Sequence, residues 1–373
     1  MLLTTNNHTQ ASINPNNVSL PKELKVISTF NGIGAFSDAL KQLSIRATKI
    51  ICEIDKKANE TYYANNEFIA ENHIDDINQL LKIIKEGFKC DMLVQTPPCQ
   101  SFSIQGTRNG LESENGNLFL TAINLQKKVN ANVLGYENVK GITSHDKQSG
   151  VYTSLINNAY KNTIGHTLHI IELLLLEDDR YNYYWKTINV ADQGLPQNRE
   201  RIFIIGIKKE LDYGFTFPEN IDLEFTVADI LEDEVDESFY YNNNANHTLV
   251  PVNQERRANR IHTIGKYDGM TFQSTARVQA PYVAPCINTN NYAKFMMTDG
   301  RVRTLTQDEA LKIHGFSEDF KLVGTKTSQN RQLGNTVSPG VYKRLLVSIF
   351  NALKEPTHTV ANNIAFTENK KSA

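Results

Sequence analysis

Apolar and polar positions between residues 24 and 207 sort into two alternating patterns. Short apolar runs bounded by Gly, Pro, Asn or Asp read as buried strands at 24–30, 48–54, 73–77, 91–94, 133–136, 186–190 and 202–207. Between them, Phe36, Ala39, Leu40 and Leu43 share one helical face, and helices are expected at 57–65, 78–85, 118–128 and 152–159. Strands alternating with helices predict an α/β domain with a mostly parallel sheet. From about residue 212 to 298 the helical period fades, and Asn, Gln, Tyr and Arg dominate. That stretch predicts a loop-rich second domain. Helical signal returns at 307–314 and 341–353, and the last helix is expected to rejoin the first domain. The expected division is a disordered extension at 1–21, a first domain at 22–211 and 330–355, an inserted domain at 212–329, and a frayed tail at 356–373.

Composition narrows the class. The 373 residues are 40% hydrophobic and 21% charged, as in ordinary soluble globular proteins. No apolar run has membrane-spanning length, and residues 1–21 lack a hydrophobic signal core. An intracellular, cytoplasmic protein is expected. The cysteines, Cys52, Cys90, Cys99 and Cys286, form no C-x-x-C pair, so free thiols are expected and no metal. The net charge of −2 does not announce a nucleic-acid binder, but its distribution is uneven. Residues 219–237 are acidic, whereas 256–303 carry Arg256, Arg257, Arg260, Lys266, Arg277, Lys294, Arg301 and Arg303. This run reads either as a phosphate-binding face or as a solvated charged surface.

The sharpest chemical signal is Thr96-Pro97-Pro98-Cys99-Gln100-Ser101-Phe102-Ser103, directly after a predicted strand. Prolines restrict the backbone and remove N–H donors, so Cys99 is presented at a strand end rather than inside a periodic apolar segment. Strand carboxyl ends are where ligands bind in open α/β sheets, and Cys99 is a candidate nucleophile. The polar, glycine-punctuated loop after it is a candidate lid. Asn31-Gly32-Ile33-Gly34, between strand and helix, is a nucleotide-cofactor signal, and Glu53 ends the next strand, about 20 residues on, where an acid commonly binds ribose. Glu137 ends another strand and is a candidate general acid. Arg199 and Arg201, at i and i+2, present two cations to one face.

Taken in order, these pieces resemble the cytosine-C5 DNA methyltransferases over roughly 24–353. They are FNGIG at 30–34, CEID at 52–55, PPCQSFS at 97–103, GNLF at 116–119, ENVKG at 137–141 and QNRER at 197–201, followed by RVRTLTQDEALKIHGF at 301–316 and GNTVSP at 334–339. The resemblance implies a Rossmann-like S-adenosylmethionine-binding domain with a small, loop- and strand-rich target-recognition domain inserted before the RVRTLT segment or enclosing it. It implies that Cys99 adds to cytosine C6, that Glu137 holds the base and protonates N3, and that Arg201, with Arg199 nearby, contacts O2 and steadies Glu137. It implies a flipped-out base under a loop closing from Ser101 to Gly110, with Gln105 in the vacated stack and Gln100 and Ser103 on DNA. Phe30, Gly32 and Gly34 would lie along the cofactor, and Glu53 and Ile54 would flank its ribose. Asp76 would contact adenine, Ile77 would pack on it, and Pro98, Leu118 and Asn335 would line the rest.

Four positions depart from the family pattern: Asn31 where a small residue is usual, Ala35 where a glycine often follows, Asn115 in place of an arginine, and Cys286-Ile287 where Thr-Leu is common. Base readout is expected from side chains between Arg256 and Asn291, with Arg256, Arg257, Arg260 and Arg277 as DNA contacts. The partner implied is double-stranded DNA bound by a monomer, with a restriction endonuclease acting on the same site. A tRNA cytosine-C5 methyltransferase is the nearest rival. A nicotinamide oxidoreductase would share the glycine turn and Glu53 but leaves PPCQ, ENV and QNRER unexplained. A non-catalytic DNA-binding module would require an idle cysteine.

Overall fold

The computed structural model describes residues 20–67, 69, 72–98, 114–241, 248–251, 260–268, 271–279, 281–289 and 294–353. Its centre is a seven-stranded sheet. The strands are β1 (Glu23–Thr29), β2 (Arg46–Cys52), β3 (His73–Ile74), β4 (Phe88–Gln95), β5 (Val129–Val139), β6 (Tyr181–Asn189) and β7 (Glu200–Lys208), in spatial order 3-2-1-4-5-7-6. β1 to β5 pair in parallel, and β7 runs antiparallel to both β5 and β6. The central strands β1 and β4 are buried on both faces over most of their length, which is why they carry apolar runs.

Helices α1 (Ala35–Gln42), α2 (Lys56–Asn65), α3 (Ile77–Ile83) and α4 (Glu114–Lys128) fall in the connections between β1 and β5. Side-chain oxygens of Asp55 and Asp76 accept from the first N–H groups of α2 and α3, so two acidic residues at strand ends also start helices. α5 (His166–Leu176) is a helix that the apolar period does not reveal. Leu168, Ile171 and Leu175 are buried, but Leu173 and Leu176 on the far side are 43% and 44% exposed, so apolar residues encircle it. The helix expected at 152–159 is absent. There the Asn157 N–H donates to Ser154 Oγ and the Tyr160 N–H to Asn157 Oδ1, so local side chains take the donors a helix would need.

The segment expected to be a loop- and strand-rich inserted domain contains a second sheet. Its strands are β8 (Thr248–Pro251), β9 (Arg260–Asp268), β10 (Thr271–Gln279), β11 (Lys294–Met296) and β12 (Val302–Thr304). β9 and β10 form a long antiparallel hairpin with two register shifts. After it come α6 (Gln307–His314), α7 (Lys326–Asn335) and α8 (Pro339–Ala352). α8 packs against α1, with the Tyr342 and Phe36 rings edge to face at 5.3 Å. One buried cluster joins Val26 and Phe36 to Ala310, Ile313 and Leu345, so the core of the first sheet continues into α6 and α8. Among the described residues, no helix is long and apolar enough to cross a membrane.

Candidate active site

The strand order reverses between β1 and β4, and a crevice opens beyond their carboxyl ends. Phe30 follows β1 with φ 55°, a left-handed conformation that costs a bulky residue about 1–3 kcal/mol. Two bonds hold it there. Thr96 Oγ1 donates to the Phe30 carbonyl at 2.7 Å, and the Asn31 N–H donates to the Cys52 carbonyl at 3.3 Å. Gly34 then caps α1 at φ 94°, and a Cβ on it would lie 2.6 Å from the Tyr62 ring. The Gly32 N–H donates to Glu53 Oε2 at 2.7 Å and the Asp55 N–H to Oε1 at 2.8 Å. Burial pushes the Glu53 carboxyl above its ordinary 4.5, against the pull of these N–H groups.

The cavity between β1, β4 and the start of α8 is lined by Ser28, Phe30, Asn31, Thr96, Asn335 and Tyr342, among others. Of the remaining expected cofactor residues, Asp76 accepts from the Asn78 N–H at 2.8 Å as the α3 cap. Ile77 is only 3% exposed and packs in the core, whereas Ile54 is 72% exposed and offers the free apolar face. Leu118 is half-buried against the same core, and Pro98 is half-buried beyond β4.

The second half of the site comes from β5 and β7. Phe203 pairs with Glu137 and Arg201 with Val139, so Arg201 and Glu137 are diagonal neighbours on one sheet face. Arg201 Nε lies 3.3 Å from Glu137 Oε1. Burial raises the Glu137 carboxyl above its ordinary 4.5, with Arg201 and then Arg199 opposing the shift. Asn138 Nδ2 donates to the Pro97 carbonyl at 3.3 Å. That bond ties the strand end carrying Glu137 to the Pro-Pro segment that leads to Cys99.

Arg199 does something other than line the site beside Arg201. It is 2% exposed, and its guanidinium donates to the carbonyls of Ile287, Gly334 and Thr336 at 2.9, 3.0 and 2.6 Å and to Cys286 Sγ at 3.4 Å. It therefore joins three distant chain segments, and only its charge reaches Glu137 among the contacts described. Burial, then the neighbouring Arg201 charge, lowers it to about 10. Gly334 permits the joint, because a Cβ there would lie 2.4 Å from the Thr289 nitrogen.

Cys99, Gln100, Ser103, Gln105, Arg256 and Arg257 lie outside the described residues, as does the expected lid. Arg260 opens β9, and Arg277 pairs with Thr263 in the hairpin. The basic run is not one face. Arg303 is fully buried in a bidentate pair with Glu309, and Arg301 is tied to Asp299 and Glu237. Ser28 and Tyr342 carry no motif signal in the sequence, and the bonds made by Thr96 and Asn138 are not legible from the motifs that contain them. Their place inside two strand-end motifs is the sequence signal that marks them.

The profile of the family described as C-5 cytosine-specific DNA methylase matches residues 24–351. The Type II methyltransferase M.Bsp6I of Bacillus sp. (strain RFL6) is 29% identical over 339 residues, covering 88% of this chain and 99% of its own. The Type II methyltransferase M.DsaV of Dactylococcopsis salina is 31% identical over 332 residues, covering 87% of this chain and 85% of its own. Among solved structures, the Entamoeba histolytica methyltransferase EhMeth superposes with a TM-score of 0.63 at 19% identity, covering 90% of this chain and all of its own (100%). The S. pombe Dnmt2 methyltransferase gives 0.60 at 16%, covering 88% and 99%. These two likenesses bear on the fold, a Rossmann-like α/β methyltransferase. The profile match spans both sheets and every motif from the glycine turn to the GNTVSP loop, and with it the chain belongs to the C-5 cytosine-specific DNA methylases, enzymes that transfer a methyl group from S-adenosylmethionine to cytosine in DNA.

Proposed function

We propose that this enzyme methylates a flipped-out cytosine within a short duplex DNA site through a covalent adduct at Cys99. The observation that carries the reading is the Asn138–Pro97 bond, which fastens buried Glu137 and its half-buried partner Arg201 to the segment entering Cys99. Cytosine C5 is too weak a nucleophile to take a methyl group unaided. The Cys99 thiolate adds to C6, and the electron pair of the C5–C6 double bond makes C5 enamine-like. Glu137, whose burial favours its protonated form, donates to N3 as charge builds on the ring. Arg201 holds Glu137 from the side and faces O2. S-adenosylmethionine, when bound, supplies the electrophilic methyl group. Loss of the C5 proton to solvent then forms the C5–C6 double bond and expels the Cys99 thiolate, while the N3 proton returns to Glu137.

The crevice residues suit that donor. Glu53 receives two backbone N–H bonds, and a carboxylate has about four lone-pair sites, leaving capacity for ribose hydroxyls. Exposed Ile54 offers an apolar face beside it, with Asp76 nearby for adenine, and Asn335 lines the cavity. Residues 22–211 and the returning helices α6 to α8, whose Ala310, Ile313 and Leu345 join the core of the first sheet, serve as the catalytic domain, and the second sheet reads the DNA. Arg256, Arg257, Arg260 and Arg277 would contact the duplex, with Gln100, Ser103 and Gln105 on the closing loop. The Type II relatives favour DNA over tRNA and favour a role in protecting a site from a cognate endonuclease. The enzyme acts as a cytoplasmic monomer.

The test is transfer of labelled methyl to unmethylated duplex DNA by wild type and Cys99→Ala, with the product mapped at base resolution. A duplex carrying 5-fluorocytosine is run in parallel. Label at one short motif and a denaturant-stable protein–DNA adduct, both absent from Cys99→Ala, are expected. Label in tRNA and none in DNA would overturn the reading.

A further inference from the structure

We propose that the tail of this chain, residues 356–373, adds as a strand to the free edge of the first sheet and caps it. β6 ends the sheet order, and among the described residues no strand pairs with its outer edge. Backbone groups alternate in direction along an antiparallel pair, and two hydrogen bonds fix the phase of that alternation on β6. The Arg180 carbonyl, just before the strand, accepts from the Lys209 N–H at 3.0 Å on the β7 side. The Trp185 carbonyl turns the other way and accepts from Asn157 Nδ2 at 2.7 Å. The pairing of β6 with β7 runs without a register shift from Tyr181 to Asn189. Tyr181 and Tyr183 therefore point their N–H and C=O groups outward, as Trp185 does. Toward the start of β6 this outward edge runs along a groove of about 470 Å³, lined by Leu176, Asp179, Tyr181, Tyr183, Tyr184 and Lys209.

The described chain ends beside this groove. α8 closes at Ala352, and Leu353 is already extended at φ −80° and ψ 137°, bridging antiparallel to Asp212. The Tyr213 N–H donates to the Ala352 carbonyl at 2.8 Å. Asp212 Oδ2 in turn accepts from Asn182 Nδ2 at 2.7 Å and from the Tyr184 hydroxyl at 2.6 Å, so it ties the end of α8 to two residues of β6. The other end of the described chain, at Leu20 before β1, is separated from β6 by β4, β5 and β7. Four residues of strand cover about 13 Å, so Thr357–Phe366 is long enough to pair with Tyr181–Tyr184 after a short link from Leu353. Val360, Ile364 and Phe366 suit a strand and bring apolar side chains, and Leu176, 44% exposed at the groove, gives them apolar surface to cover. A free edge is a template for pairing with a second molecule, and the tail withdraws it.

The experiment is amide hydrogen exchange, read residue by residue on the full chain and on a chain lacking residues 356–373. The outward N–H groups of Tyr181 and Tyr183 should exchange about tenfold faster in the shortened chain, whereas those of Asn182 and Tyr184, which face β7, should keep their rates. The 356–373 peptide, added to the shortened chain, should restore the slow rates. Val360→Pro with Ile364→Pro in the full chain removes two strand N–H donors and should act like the deletion. This variant keeps the test decisive if the shortened chain unfolds, which the amides of β1 and β4 would reveal. Methyl transfer to DNA should be unchanged in both variants, because the start of β6 lies level with Val133, at the rim of the sheet away from Glu137. Equal rates at Tyr181 and Tyr183 in the full and shortened chains would overturn the proposal, and protection of both that strengthens with protein concentration would then give the edge to a second copy. Wild-type rates in the proline variant would overturn it too. So would faster exchange at all four residues alike, the mark of general loosening rather than of a lost strand.

Discussion

Two buried arginines, Arg199 and Arg303, are 2% and 0% exposed, and they are buried in opposite ways. Arg303 meets Glu309 fork to fork at 2.6 and 2.8 Å, and Glu309 also accepts from the Glu232 and Thr306 N–H groups. Burial pulls the Arg303 guanidinium down, the carboxylate more than offsets it, and the pKa stays raised. Among the described residues Arg199 has no carboxylate in its hydrogen-bond shell, only neutral carbonyls and a thiol, and it is lowered to about 10. A matched pair cancels its own field and acts as a strut. An unmatched cation keeps a net charge, and here the nearest use for it is Glu137, on which it acts through space. The same residue type is thus scaffold in one place and part of the site's electrostatics in the other.

The comparison can be broken from the scaffold side first. Glu309→Ala strands a buried cation and should cost about 3–5 kcal/mol in urea unfolding. Arg303→Met combined with Glu309→Leu should recover most of that loss. Methyl transfer per folded molecule should stay at the wild-type level in the double variant. A double variant as unstable as Glu309→Ala would mean that the pair is more than a neutralised strut.

Arg199→Met leaves four acceptors without their donor and should cost on the order of 3 kcal/mol. Unlike the Arg303 variants, it should also lower kcat in the surviving folded enzyme. Arg199→Lys, which keeps the charge, should restore part of kcat with little of the stability. A kcat indifferent to both substitutions would place Arg199 with Arg303.

Gly334→Ala tests the joint rather than the charge. Its Cβ would meet the Thr289 nitrogen, and forcing the segments apart should cost about 1–3 kcal/mol. KM for DNA should rise more than kcat falls, because the 287–289 segment is what moves.

Glu137→Gln gives a smaller effect, visible against pH. Burial raises the folded pKa of Glu137 above its unfolded value near 4.5. The stability that this contributes is complete below the unfolded pKa and is lost as pH rises through the folded one. Glutamine never ionises, so the Tm of the variant relative to wild type should climb as pH rises. A flat difference would mean that Arg201 and Arg199 fully compensate the burial. The smallest effect is expected from Arg301→Ala at the surface, which should leave the urea midpoint unchanged.

Much of this was legible along the chain. α6 runs Gln307–His314, as its apolar spacing predicts, because its signals are local: Thr306 and Glu309 form a capping box, and Gly315 closes the helix at φ 78°. α7 carries no apolar period, since its buried Gln332 is held by a hydrogen bond with Thr61 rather than by packing. The strand-end positions of Glu53 and Glu137 followed from pattern. The Asn31 turn was readable as a cofactor signal, but the hydrogen bond that Ser28 donates to the Asn31 side chain was not.

What the sequence determined by itself is whatever depends on neighbours within a few residues: strand and helix periods, caps, the glycine turn, and the ordered motifs that mark the family. What only the tertiary structure decided is which charges are matched. Arg199 and Arg303 both sit among polar and basic residues, and nothing local distinguishes them. Arg199 finds acceptors 88, 135 and 137 residues away, whereas Arg303 finds its carboxylate six residues on but shares it with a backbone N–H 77 residues away from Glu309. Burial and long-range pairing set a charge's free energy, and both exist only once the two sheets and the returning helix have closed on one another.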